Sequence, residues 1–279
     1  MASSAVSATQ VTAGIGRLGL RATPVCLHAS LRSFPALAEG PATLVEGILD
    51  AGGTVMVATM ANQAFEIPAP PGDRPARNGV DYNRQDRTTQ IWPGQNDHFD
   101  VTRTEVDPWL GATSAYVAAL PGRRRCRFAP GSFSAVGPLA GDLIDAEVAA
   151  DTFGPLRELA DRSGWVLLAG VGLIRMTLLH LAETEAGRRP FVRWARGPDG
   201  RPVRNRSGGC SKGFEHLAGV LAPIERRATV GSSLWRAFPA QEAVELAAEA
   251  IGNDPSITRC ADPGCPECPD AVAGGPIDR

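Results

Sequence analysis

The run Val166-Leu167-Leu168-Ala169-Gly170-Val171 constrains the fold more than any other stretch of the chain. It is short, wholly apolar and ended by glycine. Such a run reads as a strand covered on both faces, as in parallel sheets flanked by helices. A helical pattern over about 173–186 follows it directly. Two further short apolar runs, Val25-Cys26-Leu27 and Thr54-Val55-Met56-Val57, read the same way. Between them lies a helix over 41–51, with Leu44, Val45, Ile48 and Leu49 on one face, Pro41 in its first turn and Gly52-Gly53 as its stop. Further helical patterns fall at about 110–120, 138–150, 155–162, 211–221 and 239–251. This alternation predicts an α/β fold, a layered α/β/α arrangement on a central mixed sheet. The 279 residues suffice for one large domain with a sizeable core.

Two stretches break the pattern. Residues 60–108 are rich in Pro, Asn, Asp, Gly and Gln and predict a long irregular insertion, of the kind that usually serves a function or stays disordered. Residues 194–210 are Gly/Arg-rich and predict a loop. The expected organisation is a flexible N-terminus over 1–14, a folded domain over 15–270 and a flexible tail over 271–279.

A net charge of −2 gives no electrostatic case for nucleic acid or an anionic membrane. Lys212 is the sole lysine, so arginine carries the positive charge. The first ten residues carry no basic side chain, and no apolar core of signal-peptide type follows. No stretch is apolar enough to span a bilayer. The reading is a cytoplasmic protein, monomer or homodimer, with reduced thiols.

In an open α/β sheet, ligands bind beyond the carboxyl ends of the strands. Strand 166–171 feeds the helix that carries Thr177-Leu178-Leu179-His180-Leu181-Ala182-Glu183. Positions i and i+3 share a helix face, so Glu183 can hold the His180 tautomer and stabilise its protonated form. Glu185 sits about 140° away around the helix and is a poor partner. His28 ends the first strand, and Ser30, Arg32 and Ser33 behind it offer donors for phosphate or pantetheine groups. The run Arg123-Arg124-Arg125-Cys126-Arg127 suggests a polyphosphate contact. Cys260-x4-Cys265-x2-Cys268 fits a zinc site in part, but no fourth ligand stands nearby, and free thiols are the expectation.

Taken in order, these segments resemble the antibiotic N-acetyltransferases typified by the aminoglycoside 3-N-acetyltransferase family. Cys26-Leu27-His28-Ala29-Ser30-Leu31-Arg32-Ser33 is similar to the family's His-Ser-Ser-Leu-Arg-Ser element, and Gly53 to Thr59 to its Gly-Thr-Leu-Val-Met-Pro-Thr strand. Ser132 to Gly137 matches the end of its Arg-Ser-x-His-Pro-x-x-Ser motif. Val166 to Glu183 resembles its Leu-Leu-Leu-Gly strand and Thr-x-x-His-x-x-Glu helix. Gly208 to Phe214 looks like its Gly-Cys-Ser-x-x-Phe element, and Cys265-Pro266-Glu267-Cys268 also has a counterpart. The chain departs where Arg125-Cys126-Arg127-Phe128-Ala129 replaces Arg-Ser-x-His-Pro, and where Ala58 replaces the proline before Thr59.

The resemblance implies direct acetyl transfer from acetyl-CoA to an amine, most readily the 3-amino group of an aminoglycoside, giving resistance or self-protection. His180 would be the general base, Glu183 its orienting partner, and His28 the opposite wall. Ser30, Leu31, Arg32, Ser33, Thr59, Arg125, Ser132 and Phe133 would bind the coenzyme. The insertion acids Glu66, Asp100, Glu105 and Asp107, chosen by location, would meet a cationic acceptor. No metal is expected. The alternatives are a non-catalytic relative that binds CoA or another small molecule, and an N-acetyltransferase of a different amine.

Overall fold

The three apolar runs lie side by side at the centre of the molecule. The computed structural model describes residues 5–82, 98–148, 151–197 and 199–277. Its strands are β1 Pro24–Ala29, β2 Thr54–Ala58, β3 Glu66–Ile67, β4 Arg124–Arg125, β5 Phe133–Val136, β6 Trp165–Ala169, β7 Phe191–Arg196, β8 Pro202–Ser207, β9 Arg226–Val230 and β10 Ser233–Pro239. Seven form one mixed sheet in the order β4-β5-β2-β1-β6-β10-β9. The inner three, β2, β1 and β6, run parallel, with Val25 opposite Trp165 and His28 opposite Leu168. β5 and β10 join them antiparallel on either flank.

Side chains alternate between the faces of a strand, and here both faces are buried. Val25, Leu27, Val55, Val57, Leu167 and Trp235 pack on one face, against helices Ala8–Leu18 and Pro41–Asp50. Cys26, Met56, Val166, Leu168 and Phe238 pack on the other, against helices Ala140–Asp145, Gly154–Asp161, Leu178–Glu185 and Ala240–Asn253. The expected α/β/α layering on a mixed sheet is what is observed. Alternation also assigns His28 to the Cys26 face, the face of helix Leu178–Glu185.

Several sequence expectations give way. Residues 5–14 do not hang free. Helix Ala8–Leu18 starts at a capping box in which Ser7 accepts from the Gln10 amide and Gln10 reaches back, and Val11 and Ile15 are fully buried. The stretch 194–210 holds most of a hairpin, since β7 and β8 pair from Phe191–Ser207 to Arg196–Pro202. β3, inside the 60–108 insertion, adds to that hairpin. The insertion closes on itself where the Asp107 amide donates to the Met60 carbonyl at 2.7 Å; its residues 83–97 lie outside the described residues. The helix expected over 138–150 is described as Ala140–Asp145, and 149–150 lie outside the description. The tail is tied down through 277, where Ile277 pairs with Arg77. Among the described residues, no helix is long and apolar enough to cross a membrane.

Candidate active site

A cleft of about 790 Å³ opens at the carboxyl ends of β1 and β6. His28, Ser30, Leu31 and Arg32 leave β1 along one wall; Val171, Arg175 and Thr177 follow β6 along another. Met60, Asn62 and Trp109 close it from the insertion side. Arg32 and Arg175 are both exposed at this cleft and give its β1–β6 side positive charge.

His180 lines the cleft from the first turn of helix Leu178–Glu185. Its Nδ1 lies 2.7 Å from Glu183 Oε2, and both side chains are nearly buried, at 10% and 12% exposure. The other carboxylate oxygen, Oε1, accepts from Arg188 Nη1 at 2.6 Å. Arg188 is buried too, and donates also to Thr258 Oγ1 at 2.8 Å and to the Pro255 carbonyl. The carboxylate is therefore fixed from both sides. Nδ1 is occupied, which leaves Nε2 as the nitrogen for proton transfer. Phe214 packs on the imidazole with ring centroids 4.8 Å apart. Gly208 also lies close against the ring: a Cβ there would sit 2.3 Å from His180 Cδ2.

His28 is different in character. Burial, with the Arg175 guanidinium adding to it, pulls its imidazole down to about 4. At neutral pH it is an uncharged hydrogen-bonding group. Its Nε2 lies 3.6 Å from Cys26 Sγ, but burial pushes that thiol up to about 12. A neutral thiol beside a neutral imidazole is not an activated nucleophile.

The structure brings six of the sequence-predicted residues to the cleft: His28, Ser30, Leu31, Arg32, Phe133 and His180. Glu183 stands directly behind His180. The others sit elsewhere. Ser33 donates to the Ser30 carbonyl and pairs with Ser233. Thr59 and Ser132 are buried beside Ser134. Arg125 is an internal staple, 4% exposed, whose guanidinium donates to the carbonyls of Arg103, Thr59 and Glu105. The arginine run is likewise dispersed: Arg123 binds backbone carbonyls at 101–103, Arg124 binds Asp145 and Arg127 binds Glu147. The polyphosphate reading of this run gives way.

None of the four insertion acids lines the cleft. Asp107 accepts from the Gln63 amide, Asp100 caps Thr102, Glu105 faces Arg103, and Glu66 lies 3.8 Å from Arg193. Among the described residues, the acid that does line it is Glu267, 3.3 Å from Arg193, with desolvation raising its carboxyl above its ordinary value. Sequence reasoning missed Glu267, Arg188 and Gly208, although Glu267 and Gly208 stand inside quoted motifs. It also missed the fourth cysteine of a cluster: Cys210 joins Cys260, Cys265 and Cys268, with the four Sγ atoms within 4.8 Å of one another.

A layered α/β sheet with an oriented histidine at a deep cleft defines a class of enzyme-like folds. Comparison narrows the class. The family profile described as aminoglycoside 3-N-acetyltransferase matches residues 26–251, and the chain belongs to that family. It is 32% identical over 171 residues to aminoglycoside N(3)-acetyltransferase VIII of Streptomyces fradiae, a match covering 58% of this chain and 54% of the relative. The matched segment thus spans just over half the length of that relative. Aminoglycoside N(3)-acetyltransferase III of Serratia marcescens is 29% identical over 68% of this chain and 71% of its own. Among solved structures, the apoenzyme of aminoglycoside acetyltransferase AAC(3)-IVa superposes with a TM-score of 0.75 at 25% identity, covering 98% of both chains. A histidine-to-alanine mutant of AAC(3)-IVa in complex with a gentamicin superposes with a TM-score of 0.74 at 25% identity, covering 97% of this chain and 98% of that one.

Proposed function

We propose that this protein transfers an acetyl group from acetyl-CoA to an amino group, the 3-amino group of an aminoglycoside. The observation that carries the reading is the buried His180–Glu183–Arg188 chain, with Nδ1 engaged at 2.7 Å and His180 lining the cleft. The amine nitrogen attacks the thioester carbonyl carbon, and His180 Nε2 takes the proton it sheds. The tetrahedral adduct then collapses, the C–S bond breaks, and the thiolate leaves as the CoA thiol after taking a proton back from His180. Glu183 holds the ring orientation and offsets its charge while it is protonated. His28, kept neutral, serves as a hydrogen-bonding wall near the thioester.

Ser30, Leu31 and Arg32 line the pantetheine path in this reading, and the exposed Arg32 and Arg175 meet phosphate groups. Glu267, rather than the insertion acids, faces the cationic acceptor. The cytoplasm, where acetyl-CoA is available, is the compartment we assign, with the protein acting as monomer or homodimer.

The test is a CoA-release assay across aminoglycosides and simple amines, with NMR of the product to locate the acetyl group. Turnover with acetylation at the 3-amino group supports the reading. Stabilisation by acetyl-CoA without turnover on any amine supports the non-catalytic alternative.

A further inference from the structure

Three of the six cysteines are confined to residues 260–268, beyond the family match, yet they converge on Cys210 inside it. The four Sγ atoms lie within 4.8 Å of one another, with Cys260 and Cys268 at 3.5 Å. A tetrahedral zinc with Zn–S bonds of about 2.3 Å sets its sulfurs about 3.8 Å apart. The observed spacing brackets that value, and it is too tight for a cluster of several irons. Cys260, Cys265 and Cys268 are buried, at 7%, 8% and 3% exposure, and form a small cluster of their own with Cys210 against it. Backbone donors also point at the sulfurs: the Cys260 amide lies 3.4 Å from Cys268 Sγ. The turn that presents Cys265 is shaped by Asp262, whose carbonyl accepts from the Cys265 amide at 3.2 Å and whose Oδ1 accepts from Gly264. Ligands two to four residues apart on such turns, with amides donating to sulfur, are what a structural zinc site needs.

We propose that Cys210, Cys260, Cys265 and Cys268 bind one zinc(II) ion as a four-thiolate structural site. Binding is not redox: four S–H groups ionise, four protons leave, and the metal sheds its waters. A closed shell of four sulfurs leaves no position for water or substrate, so the ion takes no part in chemistry. Its role is to tie together two walls of the cleft. Cys210 follows Gly208 and Gly209, which press on His180 and Phe191. Cys265 and Cys268 flank Glu267, which lines the cleft. One ion therefore joins the β8 exit loop to the C-terminal segment, elements that no strand pairing connects.

The full chain, purified without chelator, is analysed for metals by plasma mass spectrometry. One zinc per chain is expected, and a mercurial thiol reagent should release it to a colorimetric zinc dye. After removal of the metal, Co2+ should give the visible d–d and sulfur charge-transfer bands of a tetrahedral tetrathiolate site. Cys210→Ser and Cys265→Ser should each weaken zinc binding by about a hundredfold or more, and Cys126→Ala, in the main core, should leave it unchanged. The mercurial release and cobalt spectrum are read on the unmutated chain, so a ligand variant that fails to fold does not obscure the result. Substoichiometric zinc together with failure of the metal-free chain to take up Zn2+ or Co2+ overturns the proposal. So does a cobalt spectrum that lacks sulfur charge transfer.

Discussion

Gly208→Ala tests how tightly the His180 ring must be held. The new Cβ would stand 2.3, 2.5 and 2.7 Å from His180 Cδ2, Cγ and Nε2, where ordinary contact begins at 3.4 Å. About 1 Å of movement is needed. The glycine is not in the left-handed backbone region, so the clash with the ring is the whole of the perturbation. The loop cannot simply withdraw, because the next residue, Gly209, is pressed against Phe191, with a Cβ there only 2.4 Å from the Phe191 ring. The ring must therefore shift and strain the 2.7 Å bond from Nδ1 to Glu183. A misplacement of about 1 Å at a proton-transfer group lowers rate by about a hundredfold, or about 2.7 kcal/mol in activation free energy. The assay is steady-state CoA release at varied acetyl-CoA, with thermal denaturation alongside. We expect kcat to fall by about a hundredfold and KM for acetyl-CoA to move little. Wild-type kcat with an unchanged melting temperature would refute the reasoning.

Glu183→Gln keeps the shape but loses the charge, and should lower kcat by about 10²- to 10⁴-fold with the fold intact, as checked by circular dichroism. Arg188→Met leaves the Glu183 carboxylate buried without its cation and should destabilise the protein by about 3–5 kcal/mol in denaturant unfolding. Arg125→Met should lower stability while leaving KM for acetyl-CoA within about twofold, because its three bonds are to internal carbonyls; a large KM increase would restore the coenzyme-binding role. His28 makes stability depend on pH. Its ordinary value is 6.5 and its folded value about 4, so between these limits the unfolded chain binds a proton that the folded one refuses. Stability should therefore fall as pH drops from about 6.5 towards 4, by about 2–3 kcal/mol, and His28→Gln should abolish that part of the pH dependence in urea titrations.

How much the sequence reveals follows from how local each signal is. β1, β2 and β6 are buried on both faces and read as short unbroken apolar runs. The His180–Glu183 pair is legible because an i,i+3 spacing is settled by one helix turn. β10 escapes a sequence reading although Trp235, Ala237 and the exposed Leu234 alternate; Arg236 and the short Gly231-Ser232 turn make the stretch look irregular. Its edge neighbour β9 carries exposed Arg226 and Arg227. The β7–β8 hairpin is hidden because Arg193, Arg196, Arg204 and Arg206 carry its half-exposed faces. Helix Ala8–Leu18 does announce itself, through the cap formed by Ser7 and Gln10, but its low polarity and small residues resemble a loose terminus. Glu267, Gly208 and the union of Cys210 with Cys260, Cys265 and Cys268 depend on segments distant in sequence meeting at one place. The arginine run misleads for a related reason: charge runs usually spread into separate partners, and here Arg123, Arg124, Arg125 and Arg127 do so.

The proposed chemistry turns on His180 carrying the proton. It is tested by CoA release from His180→Ala beside wild type, on an aminoglycoside that wild type acetylates, with acetyl-CoA binding followed by thermal shift. We expect kcat to fall by about a hundredfold or more while stabilisation by acetyl-CoA persists. Full turnover by His180→Ala would contradict the assignment.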